Sequence, residues 1–207
     1  CRIKETLFSG QSNYQSVAVV DSYEFGRMLV LDGVFQTSLF EEYIYHEMIV
    51  HVPLLSHPHP RKILVIGGGD GGTVRETVRH ETVESVEMVE IDGMVVDVSK
   101  KYLPEISAAM VANHPKLKVS IGDGIARMKE SDGFYDVIIV DCSDPIGPGV
   151  GLFSKDFFKD VYKALKPDGL FVQQTESPFY HQQLISRIHN DIEELFPITR
   201  LYLANIP

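Results

Sequence analysis

The chain has 207 residues, of which 44% are hydrophobic and 23% charged, and its formal net charge is −10. This length suffices for one α/β domain and a smaller one, and the composition is not that of a disordered or fibrous protein. The acidic excess argues against nucleic acid or an anionic membrane as the main partner, because both reward clustered Lys and Arg; it is compatible with a cationic substrate. No apolar run reaches the length of a membrane span, about 18 residues, and the two cysteines imply no disulfide framework. We therefore expect a cytoplasmic protein with neither signal peptide nor membrane span.

The first 53 residues are predicted to form a small antiparallel sheet followed by a helix. Strands are expected, in chain order, over residues 14–20, 27–31 and 34–37, the last two joined by an Asp32-Gly33 hairpin turn. Ile44, Met48 and Val52 then recur at helical spacing. This spacing predicts a helix over residues 41–52 that ends at Pro53.

Alternating histidine and proline at residues 57–60 form a stiff connector, which we take as a domain boundary. The boundary predicts an N-terminal domain at residues 1–57, made of β-hairpins and the connecting helix, and a catalytic domain at residues 58–207. In the second domain, strands are predicted over residues 62–66, 85–90, 117–121, 135–140, 170–174 and 199–204. Helices are predicted over residues 73–80 and 93–103, up to Met128, over 154–166, and from Ser177-Pro178 to Phe196. Such alternation indicates a doubly wound parallel sheet of Rossmann-like type.

The glycine run at residues 67–72 reads GGGDGG and lies between a predicted strand and a predicted helix. In that context the G-x-G-x-x-G pattern predicts a nucleotide site, whereas a tight turn with nothing bound is the alternative. Asp70 in the middle of the loop would repel a pyrophosphate and attract a cation. The sequence thus favours an adenosyl sulfonium compound over NAD, which places its pyrophosphate on this loop.

Acidic residues follow the next two predicted strands, where ligands of such sheets bind. Glu90 ends the second strand and is expected to accept hydrogen bonds from the ribose hydroxyls, in preference to Asp92. Asp123 is placed to accept from an adenine amino group or to cap a helix, and the two roles can coexist. Gly124 lets the adenine ring approach the backbone.

Two carboxylates, Asp141 and Asp144, share a loop stiffened by proline and glycine after the most apolar strand. Paired acids of this kind can bind an amine and take its proton, and the alternative is a loop acid with a turn cap. Cys142 in the same loop is not favoured as a nucleophile, because no histidine accompanies it in the motif.

Tyr45 and His46 lie on the helix between the two predicted domains, where His46 either binds substrate or packs. Further histidines stand at 51, 57 and 59. Because no second cluster of metal ligands accompanies them, we expect no metal site.

Together these segments resemble the spermidine synthase family of polyamine aminopropyltransferases. The resemblance covers essentially the whole chain and is carried by Tyr14-Gln15, 29–33, 45–48, 67–72, 90–92, 122–124, 141–148 and the Gln174 region. The combination of GGGDGG with DCSDPIGP is far more specific than either motif alone.

The resemblance implies a role for each matching residue. Contacts to the adenosyl part are implied for Gln15, Glu90, Asp123, Gly124 and Pro148. Asp70 is implied to contact the aminopropyl amine and the incoming diamine, and Asp141 to act as the base. The diamine pocket is implied to include Tyr45, His46, Cys142, Ser143, Asp144 and Gln174, together with Asp70 and Asp141.

The same resemblance implies the reaction, transfer of an aminopropyl group from decarboxylated S-adenosylmethionine to putrescine, giving spermidine and methylthioadenosine. It implies no prosthetic group and a homodimer or homotetramer. The family pattern also begins before Cys1 and continues past Pro207, where a tyrosine is expected to contact the diamine, so part of the family fold is expected to be absent. Phe179 stands where family members often carry tryptophan.

Three other functions remain open from the residues. An amine N-methyltransferase on the same scaffold would use intact S-adenosylmethionine. Asp70 argues against this function, because it would lie near the carboxylate of intact S-adenosylmethionine and repel it. A catalytically incomplete polyamine or nucleoside binding module is a second alternative, and an NAD-linked oxidoreductase a third.

Overall fold

The computed structural model describes residues 1–142 and 147–204, and for residues 147 and 148 the backbone alone. The N-terminal antiparallel sheet has the strand order of the sequence: β1 (Ile3–Gln11), β2 (Ser16–Ser22), β3 (Gly26–Leu31) and β4 (Val34–Ser38). Asp32 and Gly33 both have positive φ, at 48° and 80°, as the predicted hairpin turn requires. Strand β1 was not predicted, because most of its side chains are exposed and its apolar pattern is weak.

A helix, α1 (Glu42–Ser56), connects this sheet to the rest of the chain. The prediction that it ends at Pro53 was wrong, since Pro53 lies inside it. Pro53 and Leu54 are buried, and Leu54 packs with Ile63 and Val65, so burial outweighs the hydrogen bond that proline removes. Helix α1 thus covers one face of the second sheet, and the division of the chain at residue 57 stays a prediction.

The second sheet is five-stranded and entirely parallel, with the order β7-β6-β5-β8-β9. Its strands are β5 (Lys62–Gly67), β6 (Ser85–Glu90), β7 (Leu117–Ile121), β8 (Tyr135–Asp141) and β9 (Leu165–Gln173). The order reverses direction between β5 and β8, which makes their carboxyl ends the topological switch point where ligands bind. The predicted Rossmann-like fold, preceded by a small antiparallel sheet, is confirmed.

Helices and apolar side chains cover both faces of this sheet. The helices are α2 (Gly72–Val78), α3 (Gly93–Tyr102), α4 (Ala108–Val111), α5 (Gly124–Lys129), α6 (Lys155–Ala164) and α7 (Gln182–Glu193), and a 3₁₀ helix spans Gly147–Phe153. The predicted cap of α6 is confirmed, since the Ser154 hydroxyl accepts from the Phe157 N–H at 3.2 Å. Within residues 1–142 and 147–204, no helix is both long and apolar enough to cross a membrane.

The structure corrects two predicted boundaries near the C-terminal end. Helix α6 ends at Ala164 rather than Lys166, because the chain turns at once into β9, whose first residue Leu165 pairs with Tyr135. Helix α7 begins at Gln182 rather than Ser177, whose carbonyl accepts instead from the N–H groups of Tyr180 and His181, which precede the helix.

The strand expected at residues 199–204 is not formed. Leu201 and Leu203 are 61% and 73% exposed, so the apolar residues that suggested a strand are not packed on the sheet.

Candidate active site

A cavity of about 330 Å³ lies at the carboxyl ends of β5, β6 and β8 and is lined on another side by residues of the N-terminal sheet. Its size is that of a small-molecule site. All the predicted site residues whose side chains are described line it: Gln15, Tyr45, His46, Asp70, Glu90, Asp123, Gly124, Asp141, Cys142 and Gln174. The predictions for Ser143 and Asp144 lie outside the described residues, and Pro148 is described by its backbone alone, in the 3₁₀ helix.

The glycine-rich loop is joined directly to the end of β8. Gly67 pairs with Asp141 in the sheet, and the Gly68 N–H donates to the Asp141 carbonyl at 2.8 Å. Gly67 has a φ of +80°, and a Cβ there would lie 2.1 Å from the Asp141 carbonyl oxygen, so only glycine fits. This close approach brings the loop acid Asp70 and the strand-end acid Asp141 to the same cavity.

Two hydroxyl groups hold the Asp141 carboxylate. The Tyr45 hydroxyl donates to Oδ1 and the Thr73 hydroxyl to Oδ2, each at 2.6 Å. Burial and the neighbouring Asp70 carboxylate raise the pKa of Asp141 above its usual value, against the opposing effects of His46 and these two donors. A carboxylate with a raised pKa is a better base than an ordinary one.

Asp70 belongs to a buried chain of alternating charges. Its Oδ1 accepts from the Gly72 N–H at 2.8 Å, and its Oδ2 lies 3.3 Å from His46 Nε2. His46 Nδ1 in turn lies 2.6 Å from Glu42 Oε2, and both Glu42 oxygens accept from the Arg75 guanidinium at 2.8 Å. The side chain of His46 is only 1% exposed.

This arrangement favours an imidazolium at His46, because a neutral ring has one N–H and two carboxylates face its two nitrogens. Burial lowers the pKa of His46, but Asp70 and Glu42 more than offset it and raise the pKa to about 10. Burial likewise raises the pKa of Asp70, yet the His46 cation and the Gly72 N–H outweigh it, so the pKa lies below its usual value. One carboxylate of the pair is therefore held ionised while the pKa of Asp141 is raised, a separation typical of acid–base sites.

The opposite end of the cavity is suited to a nucleoside. Burial raises the pKa of Glu90 to about 7, although the Asp92 N–H, which donates to it at 2.8 Å, acts in the opposite sense. Asp92 itself caps α3 and accepts from Gln15 Nε2 at 3.0 Å, so it fixes Gln15 at the cavity wall. Asp123 caps α5 through Oδ1, as one of its two predicted roles required.

Cys142 and Gln174 complete the described wall next to Asp141. Cys142 lines the cavity and also packs against the apolar cluster below it, in keeping with a small packed residue. The Gln174 N–H donates to the Val140 carbonyl at 3.1 Å, while its Oε1 is buried and has no hydrogen-bond partner among the described residues. An acceptor in that state suits a ligand with N–H groups.

Sequence reasoning missed three residues of this site: Glu42, Thr73 and Arg75. Glu42 precedes His46 by four residues, and that helical spacing was a usable signal for a pair. Thr73 follows the glycine run directly, but nothing in the sequence shows that its hydroxyl faces Asp141.

An acidic cavity at the switch point of a doubly wound sheet defines a nucleotide-binding enzyme of Rossmann-like fold, of the kind that takes adenosyl sulfonium compounds. Comparison with known proteins is more specific. Residues 42–207 match the family model of the spermine/spermidine synthase domain, and residues 1–38 match that of the spermidine synthase tetramerisation domain. The chain belongs to the spermidine synthase family.

Individual relatives agree with this assignment. The chain is 53% identical over 206 residues to a polyamine aminopropyltransferase of Clostridium kluyveri, and 52% identical over 207 residues to one of Caldicellulosiruptor saccharolyticus. Both alignments cover 100% of this chain and 74% of the relative. Among solved structures, a spermidine synthase in complex with the transition state analogue AdoDATO has a TM-score of 0.93 at 39% identity, covering 96% of this chain and 67% of that one. The spermidine synthase of Thermotoga maritima has the same TM-score at 38% identity, covering 99% of this chain and 68% of that one.

Proposed function

We propose that this protein transfers the aminopropyl group of decarboxylated S-adenosylmethionine to putrescine, giving spermidine and methylthioadenosine. The observation that carries the proposal is the pair of carboxylates in one cavity, Asp70 held ionised by His46 and Asp141 with a raised pKa. The relatives are named polyamine aminopropyltransferases, and one similar structure holds a transition state analogue, which supports the same reaction.

The chemical step is a displacement at the propyl carbon bonded to sulfur. The amine nitrogen forms the new N–C bond, the C–S bond breaks, and its electron pair leaves with sulfur as the neutral thioether. The proton of the attacking amine passes to Asp141. An alkylamine resembles lysine, with a pKa of about 10.4, so its neutral form at pH 7 costs about 4–5 kcal/mol. A base with a raised pKa next to the amine, and alignment of the two substrates, offset that cost.

The nucleoside end of the cavity is assigned to the adenosyl group. Glu90 would accept from the ribose hydroxyls, because both oxygens of an ionised carboxyl can accept. Asp123 would accept from the adenine amino group while it caps α5, and Gly124 leaves room for the ring. Gln15 and Pro148 are assigned to the same group by the family resemblance.

The amine end is assigned to the diamine and to the aminopropyl ammonium. Asp70 would hold the donor's amino group and disfavour intact S-adenosylmethionine, whose carboxylate would lie against it. His46 would act through Asp70, since both of its ring nitrogens already face carboxylates. The rest of the proposed diamine pocket consists of Tyr45, Asp141, Cys142, Ser143, Asp144 and Gln174.

The match of residues 1–38 to a tetramerisation domain supports a homo-oligomer, which we propose as the working form. The reaction needs no prosthetic group, and the proposal that no metal is bound rests on its chemistry alone. A cytoplasmic location is proposed from the sequence, because two cysteines imply no disulfide framework.

A product assay tests the proposed reaction. Putrescine is supplied with decarboxylated S-adenosylmethionine, and separately with the intact compound, and both spermidine and methylthioadenosine are quantified. We expect spermidine from the decarboxylated donor only, and relaxed discrimination between donors in Asp70→Asn. A methylated amine from the intact donor would identify an N-methyltransferase. Nucleoside binding without product from either donor would identify a binding module.

A further inference from the structure

Arg75 of α2 is the fourth member of the buried chain of charges that begins at Asp70. Its two terminal nitrogens donate to the two oxygens of Glu42, each at 2.8 Å. Its Nε donates to Glu76 at 2.8 Å, and its side chain is only 18% exposed. Arg75 is not among the described residues that line the cavity. Its contacts therefore reach the site through Glu42, which does line it.

The charges of this chain cancel only with Arg75 present. Asp70 and Glu42 are carboxylates, and the ring of His46 lies between them as one cation. Without the guanidinium, two largely buried carboxylates would share a single positive charge, and buried charges are costly unless they are paired. With the guanidinium, the four charges sum to zero.

The directions of the pKa shifts agree with this count. Burial raises the pKa of Glu42, but its hydrogen bonds with His46 and Arg75 hold the pKa below its usual value. Burial also raises the pKa of Asp70, and the charges of His46 and Arg75 are among the effects that lower it. A guanidinium keeps its proton in proteins, whereas an imidazolium can lose one, so Arg75 is the permanent cation of the chain.

Titratable groups on neighbouring elements face this chain as well: Tyr45, Asp141, Glu76 and, beyond Glu76, His51 and Arg79. The Asp141 carboxyl lies at the Asp70 end, where any negative charge increases the need for a cation. Glu76 has a second guanidinium of its own in Arg79, so it does not cancel the charge that Arg75 supplies to Glu42.

We propose that Arg75 is a positioning residue for the reaction, whose two hydrogen bonds hold Glu42 against His46 and thereby keep Asp70 charged for the ammonium of the donor. The proposal rests on the proposed function, in which Asp70 binds that ammonium. A residue of α2 outside the cavity thus sets the pH range in which the site accepts a cationic donor.

The binding of two nucleosides tests this role without requiring turnover. Decarboxylated S-adenosylmethionine and methylthioadenosine share the nucleoside, and only the first carries the aminopropyl group with its ammonium. In Arg75→Met the chain keeps an uncompensated negative charge, so the pKa of Asp70 should rise by about 1–3 units. A carboxyl with a raised pKa becomes protonated as the pH falls, and the ammonium then loses its partner.

Calorimetry at two pH values measures the effect. We expect Arg75→Met to weaken binding of decarboxylated S-adenosylmethionine, relative to methylthioadenosine, by about three- to tenfold at pH 5.5 and by less than threefold at pH 8.5. Because both ligands carry the same ribose, the titration of Glu90 cancels in this ratio. A general loss of structure would instead weaken both ligands at both pH values.

Two further variants complete the design. Arg79→Met is the matched control, because it removes a guanidinium from the same partner, Glu76, without touching Glu42, and it should leave the ratio unchanged. The double variant Arg75→Met/Glu42→Gln removes one charge of each sign, and the new amide oxygen can still accept from the His46 ring. It should return the ratio at pH 5.5 to within threefold of the unmodified protein, and it carries the test by itself if Arg75→Met does not fold.

A ratio in Arg75→Met that does not change with pH would overturn the proposal. An equal loss in Arg79→Met would overturn it as well, and so would a double variant that stays impaired at pH 5.5 alone. Turnover of putrescine by the unmodified protein tests the proposed function separately.

Discussion

Asp141→Asn removes the proposed base while keeping its shape. The Tyr45 and Thr73 hydroxyls, each 2.6 Å from a carboxylate oxygen, can reorient so that one donates to the amide oxygen and the other accepts from the amide nitrogen. The side chain should therefore stay in place. An asparagine cannot take the proton, so the variant depends on amine that is already neutral, whose formation at pH 7 costs about 4–5 kcal/mol.

General base catalysis contributes about 10²–10⁴-fold, and we expect kcat at pH 7 to fall by that factor. The variant should then regain activity by about tenfold per pH unit up to the amine pKa of about 10.4, because the neutral fraction rises at that rate. Initial rates of methylthioadenosine formation between pH 6.5 and 9.5 measure both effects, and nucleoside affinity by calorimetry checks that the cavity is intact. A kcat within tenfold of the unmodified protein at pH 7 would refute the role of Asp141 as base.

Two other predictions concern the same cavity. Gly72→Ala would place a Cβ 2.2–2.4 Å from three atoms of the His46 ring, whereas a Cβ at Gly93, the first residue of α3, would lie 3.5 Å from the nearest atom. We therefore expect Gly72→Ala to lose about 1–3 kcal/mol of stability and most activity, and Gly93→Ala to lose neither. Thermal unfolding and turnover measure the two effects. The pKa of Glu90, about 7, predicts that methylthioadenosine binds more tightly as pH rises from 6 to 8, because ribose hydroxyls donate to the ionised form. Calorimetry in buffers of different ionisation enthalpy should detect proton release on binding below pH 7, and a pH-independent affinity would exclude Glu90 as the ribose ligand.

The sequence predicted the strand ends well and the interactions across elements poorly. Asp70, Glu90 and Asp141 could be placed at one edge because residues that follow parallel strands meet there. The pairing of Glu42 with Arg75 could not be predicted, since the two are 33 residues apart and their contact depends on how α1 and α2 pack. The environment of His46 could not be predicted either. The ring was expected to bind substrate or pack, whereas two carboxylates, of Asp70 and Glu42, face its two nitrogens and raise its pKa to about 10.

Backbone rules were also overridden where packing decided the outcome. Pro53 is a strong signal for the end of a helix, yet α1 continues through it because the following residue fills the core. Ser177-Pro178 is a typical helix start, but the residues after it are highly exposed, and the buried face of α7 begins only with Ile185.

The hydrogen bond between the Gly68 N–H and the Asp141 carbonyl has a consequence for how substrate range can change. Because this bond joins the loop that carries Asp70 to a buried central strand, the spacing of the two carboxylates is set by main chain and not by flexible side chains. Substitutions elsewhere on the cavity wall can therefore change which amine fits while the separation of the two carboxylates is retained.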